Sequence, residues 1–351
     1  MSSFIIHMSY SRQSNLELLR ICCMLMIVAG HIILYHKTPH LLTNDEEVLK
    51  LFLMSFFSVA VNSFVLISGY FGIKFKTDRF LRLIIQTFTY SVILMCLSVA
   101  IDWHTFNIKK DLFAFLPIIT KQYWFITCYV VLYIISPWLN KWIECLDRNT
   151  YKRFLLIGFI IVYLWPTISY LFNTPQFIGD SGYGIVNFTY LYLIGRYLNI
   201  HHRDTHSSRF YLGMYLVTAI SLFISQYLLS KILGFVFISW ISYNTVFIFI
   251  GSICLFMSFL KMDFHSSIVN FWAKPCLAVY LIHMNPYIWD GFCRTIGISE
   301  LHGMKYVMVI FTFPFIIYFL CSLLEICRIR IMGKLENRVL SAINKLHLYG
   351  I

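Results

Sequence analysis

Charge is what this sequence has least of. Of its 351 residues, 13% are Asp, Glu, Lys or Arg, while 59% are hydrophobic. A water-soluble domain ordinarily carries about 25% charged residues because its outside faces water. With about half that share, and with apolar residues gathered in long blocks, the solvent of this fold is lipid. The short alternating runs of a β-barrel are missing, as are fixed-period repeats, low-complexity tracts and any polar stretch long enough for a soluble domain. There is no C-x-x-C pair, and most of the ten cysteines, such as Cys22, Cys23, Cys96, Cys128 and Cys254, lie inside apolar runs. They read as small apolar filler and not as a disulfide framework. The first apolar run lacks a small-x-small exit, which marks a retained span and not a cleaved signal.

What is present is a series of apolar runs near 20 residues long, each the length of a helix that crosses a bilayer. They fall at roughly 16–36, 51–72, 80–101, 121–139, 153–172, 184–200, 210–230, 239–260, 268–290 and 304–327. The expected fold is all-α, a polytopic membrane protein of about ten transmembrane helices, because in lipid each segment must satisfy its own backbone polar groups. The fourth run has an ill-defined start, since Phe113–Ile119, broken by Pro117, reads equally as an outer re-entrant or interfacial turn. The sixth, with Asn187, Thr189 and Gly195, is polar enough to be lined by protein. With the N-terminus inside, nineteen of the 28 Lys and Arg residues fall in cytoplasmic segments and eight in outer ones, Arg20 lying within the first span. That bias predicts both termini in the cytoplasm. It also accounts for the net charge of +12 as topology, which removes nucleic acid as a partner. The expected organisation is a cytoplasmic tail at 1–14, a membrane domain at 15–330 and a cytoplasmic tail at 331–351.

Ionisable groups within a membrane are costly and usually functional. In LLRICCMLMIVAGH, Arg20 and His31 stand eleven residues apart, about three helical turns, on one face and roughly 16 Å apart along the axis. Such a pair suits a long ligand whose anionic head is held by the arginine while a base waits at its reactive end. A snorkelling arginine and a histidine bonded within the bundle explain the same spacing.

Further segments join this one in order: Ser68, Gly69 and Tyr70 in NSFVLISGYF; Arg79 and Arg82 in RFLR; Trp124 and Pro137 in YWFITCYVVLYIISPWL; Tyr280 and His283 in AVYLIHMNPY. Together with Arg-x10-His they resemble the signature of membrane acyltransferase family 3, whose members O-acylate sugars and polysaccharides. The resemblance runs from about residue 14 to the end.

The resemblance implies an acyl-coenzyme A donor, acetyl-coenzyme A in the first instance, reaching a membrane-embedded site from the cytoplasm. The acceptor would be a hydroxyl of a cell-surface sugar or polysaccharide precursor, the location a bacterial inner membrane. No metal is expected in this chemistry. His31 would be catalytic, as a general base or as an acylated nucleophile. Arg20, Arg79 and Arg82 would hold the donor's phosphates as guanidinium forks, or the latter two are ordinary positive-inside anchors. Ser68, Tyr70, Trp124, Tyr280 and His283 would line the site, with Gly69 permitting close helix approach and Tyr123 beside Trp124 fitting an interfacial belt equally well. Asp290, seven residues after His283, would lie near it on one helix face. The rival functions are a transporter or flippase of a lipid-linked sugar, which favours matching broken helices in two halves, and a polysaccharide polymerase. Pro166, Pro286 and Pro314 show no such correspondence, and no large outer loop is present.

Overall fold

The computed structural model describes residues 12–36, 45–202, 204–234, 236 and 238–348, and every regular element among them is helical. The chain runs through α1 (Ser14–Tyr35), α2 (Asp45–Phe57), α3 (Ala60–Phe71), α4 (Thr77–Ala100), a short α5 (Ile108–Asp111) and α6 (Trp124–Glu144). It continues with α7 (Arg148–Phe159), α8 (Trp165–Leu171), α9 (Ile185–Ile200), α10 (Ser208–Leu233) and α11 (Val246–Leu260). Three short helices follow, α12 (Ser267–Trp272), α13 (Cys276–His283) and α14 (Pro286–Ile296), and then α15 (Gly303–Leu348). Among the described residues, 8 helical stretches are long and apolar enough to cross a membrane. α2 and α3 form one of them, and α7 and α8 another, joined by a π-helical stretch at Ile160–Leu164. The widened turn precedes Pro166, which has no N–H to return to the turn before it.

The other two expected spans are shorter helices. α9 matches the sixth apolar run and, apart from the half-buried Thr189, is buried from Asn187 to Gly195, as its polar residues predicted. The ninth run, 268–290, departs from expectation. Instead of one helix it is divided among α12, α13 and α14. The cause of the second break is local: Asn285 accepts the Tyr287 N–H at 3.0 Å and Pro286 takes the first helical position, a start signal inside an apolar run. His283 and Asp290 therefore stand on different helices. Asp290 instead accepts from the Tyr35 hydroxyl at 2.9 Å and pairs with Arg294 at 3.0 Å. α15 also runs through residue 330 without a break, so the expected tail begins as helix. Leu112–Phe115 is a 3₁₀ turn that leaves Leu112, Phe113, Phe115, Leu116 and Ile119 exposed.

Backbone contact between α3 and α9 sets the centre of the fold. A methyl group on Gly69 would lie 2.4 Å from the Tyr192 carbonyl oxygen, and one on Gly195 would lie 2.5 Å from that of Leu66. Small residues at a crossing let helices meet in lipid, where close packing and hydrogen bonds replace the hydrophobic drive of water. Beside this crossing Asn187 donates to Asn62 Oδ1 at 3.3 Å and accepts from the Tyr163 hydroxyl, while Asn62 donates to the Tyr243 carbonyl at 2.9 Å. In α6, Pro137 cannot donate to the carbonyl of Tyr133, and the Ser136 hydroxyl does so instead at 2.8 Å, keeping the helix continuous.

Candidate active site

α1, α3, α6 and α13 enclose a cavity of about 330 Å³ whose lining is mainly apolar. Arg20 and His31 both face it from α1, three turns apart as their spacing requires. Ser68, Trp124 and Tyr280 join the lining from α3, α6 and α13. Tyr183 and Tyr243 complete one wall and pack on Trp124, with ring centroids 4.6 and 5.9 Å away.

His31 meets His283 across 252 residues of sequence, with Nδ1 of the first 3.1 Å from Nε2 of the second. The other side of His283 is fixed: its Nδ1 lies 2.6 Å from the Val279 carbonyl oxygen. A carbonyl only accepts, so Nδ1 of His283 carries the hydrogen. In the neutral ring Nε2 is then an acceptor, and His31 must donate to it from Nδ1. The lone pair of His31 is left on Nε2. The relay from Val279 through His283 to His31 thus selects the tautomer of the cavity histidine without a carboxylate, and it holds the proton that becomes shared if His31 is protonated. Trp289 stands edge-on to both imidazoles, with centroids 6.4 and 5.9 Å from them.

The break at Asn285 supports this pair. Asn285 donates to the Tyr123 hydroxyl at 2.9 Å, and that hydroxyl donates to the Leu281 carbonyl at 3.0 Å. Tyr123, fully buried, therefore ties the end of α13, where His283 sits, to the start of α6.

At the far end of the cavity Arg20 is not a bare cation. Its guanidinium lies 3.2 Å from Glu17, a partner one turn back that sequence reading passed over. Lys274 also lines the cavity, two residues before Cys276, whose thiol reaches the Arg20 carbonyl at 3.6 Å, and was likewise missed, because near the start of the apolar run 268–290 it counts only as a topology charge. The remaining expected residues lie outside the cavity. Arg79 is exposed on α4, one turn before Leu83, which lines the cavity, and so stands on the same helix face as Leu83. Arg82 donates to Asn337 of α15 at 2.7 Å. Tyr70 packs on Phe256, with ring centroids 5.5 Å apart, and borders a second, more polar cavity with Arg12. A further buried acid escaped the sequence reading: Glu325 on α15 accepts from Tyr90 at 2.6 Å and pairs with Arg328 at 2.7 Å. Its charge is matched within the bundle, and it does not line the cavity.

An all-helical, multi-pass membrane protein with a histidine pair over an apolar cavity is the class that these observations define. The family comparison makes it specific. The chain matches the model of the family described as acyltransferase domain over residues 13–324, and it belongs to membrane acyltransferase family 3. No curated protein and no solved structure matches the chain.

Proposed function

We propose that this protein moves an acyl group, acetyl in the first instance, from acyl-coenzyme A to a hydroxyl of a cell-surface sugar or polysaccharide precursor in a bacterial inner membrane. The observation that carries this reading is the His31–His283 relay at one end of an apolar cavity that has Arg20 and Lys274 at the other. The basic end is the cytoplasmic one by the distribution of Lys and Arg. It suits the phosphates of the donor, with the exposed Arg79 one turn from Leu83 of the cavity wall reinforcing it. The apolar stretch between accommodates the uncharged arm that leads to the thioester.

His31 Nε2 takes the proton of the acceptor hydroxyl as that oxygen attacks the thioester carbonyl. The imidazolium formed is steadied by its Nδ1–H bond to neutral His283. Collapse of the tetrahedral intermediate breaks the carbon–sulfur bond, and the departing thiolate recovers the proton from His31. An ester and coenzyme A are the products. The first turn of α6, from Trp124 to Ile126, borders the cavity and has no side-chain cap. The positive end of that helix favours negative charge growing on the thioester oxygen.

The test is transfer of labelled acetyl from coenzyme A by the purified protein in membranes of a strain lacking it, followed by glycan analysis. Label in alkali-labile ester linkage on a sugar supports the reading. Unchanged glycan acetylation with altered sugar export or chain length assigns the protein to transport or polymerisation instead.

A further inference from the structure

At the end of the bundle opposite Arg20, three side chains from separate segments meet. His36 follows the last turn of α1, Glu46 lies in the first turn of α2, and His302 directly precedes α15. Each offers one ligand atom, and these atoms lie within 4.8 Å of one another. Nδ1 of His302 is already 3.2 Å from a carboxylate oxygen of Glu46. Two donors about 2.0–2.2 Å from one tetrahedral zinc ion stand roughly that far apart.

His36 is the informative member. It is 2% exposed and stacks on Tyr306, with ring centroids 4.2 Å apart. Its Nε2 lies 2.7 Å from the Leu301 carbonyl oxygen, so that nitrogen carries the hydrogen and Nδ1 the lone pair. That Nδ1 is buried with no hydrogen-bond partner. An orphaned ring nitrogen of this kind is costly unless something fills it. A histidine that gives one nitrogen to a backbone carbonyl and keeps the other bare is how metal-binding histidines are usually oriented. The rest of the cluster is built to hold the carboxylate: Glu46 also accepts the Gly303 N–H at 2.8 Å. The nearby Lys50 donates to the His36 carbonyl at 2.6 Å and pairs with Glu47 at 3.6 Å.

We propose that His36, Glu46 and His302 bind a divalent transition metal of the zinc class, with a fourth position open to water. Two imidazoles and one carboxylate suit zinc better than magnesium or calcium, which prefer all-oxygen shells. His36 stands five residues beyond His31, about 7.5 Å along the helix, so the metal is outside the reacting centre. Its role is to fasten the end of α1 to the starts of α2 and α15, which steadies the helix that carries His31. The site is independent of acyl transfer.

The test uses the full-length protein purified in detergent with an affinity tag free of histidine, stripped with chelator and titrated with zinc or cobalt(II). The expected result is one tightly held metal per chain, a visible cobalt absorption of four-coordinate type, and a higher melting temperature with zinc. His302 is exposed, and His302→Ala should fold normally yet weaken binding at least about tenfold. Glu46→Gln, which keeps the side chain's shape, should do the same. Failure to retain metal, or equal affinity in wild type and both variants, overturns the proposal.

Discussion

His283 carries the least obvious role at the scale of single residues. It does not line the cavity, yet it decides which nitrogen of His31 is basic. His283→Ala removes the acceptor for the His31 Nδ1–H and leaves the tautomer unfixed. Turnover should fall on the order of 10- to 100-fold, as for other groups that orient a functional imidazole, with the donor's KM little changed. His283→Asn retains an acceptor near the same place and should recover part of the loss. A purely structural His283 would instead give both variants the same melting-temperature loss with normal turnover per folded molecule. The family resemblance put His31 and His283 at one site, but the bond between them was not legible in the sequence. Arg20 and His31 share one helix, so regular helical spacing relates them. His31 and His283 are 252 residues apart, and no local periodicity reaches that far. Tyr70 and Arg82 show the converse: a motif position fixes neighbours along the chain but not the cavity a side chain faces.

Most elements were legible because bilayer thickness sets the length of an apolar run. The bounds of α1, α4 and α9 agree with the runs to within a few residues. The failure at 268–290 has a definite origin, since hydropathy hardly registers the Asn-Pro pair that ends one helix and caps the next. The length of α15 beyond 330 was missed for the opposite reason, because its later part is too polar to count as a span. The crossing of α3 and α9 is where helix packing is most exacting. Gly69→Ala would press a methyl against the backbone of Tyr192, which cannot swing aside as a side chain does. A loss of about 1–3 kcal/mol is expected for such overpacking, seen as a lower unfolding midpoint in detergent. Gly213→Ala on α10, where the added methyl meets nothing within 4 Å, is the control and should be neutral or slightly stabilising. Equal midpoints for the two variants would remove the α3–α9 contact from the account of stability.

Across the whole molecule, charge and polarity divide the bundle into two ends. A reporter fused after residue 345 should behave as cytoplasmic and one inserted between Asn173 and Asp180 as external; an external C-terminus would overturn the expectation of ten spans with both ends inside. Arg20 and His31 line one cavity, and the proposed function assigns them two tasks, donor binding to Arg20 and proton transfer to His31. Arg20→Ala should weaken coenzyme A binding, and the loss of charge-assisted bonds costs roughly 1.5–3 kcal/mol. The deciding measurement takes acyl transfer and coenzyme A binding from one purified sample of His31→Ala. The account predicts that the chemical step slows by roughly 10²–10⁴-fold while coenzyme A binding stays within about twofold of wild type, because binding energy and proton transfer reside at opposite ends of the cavity. Near-normal turnover in the folded variant, or loss of donor binding in step with loss of rate, would contradict it.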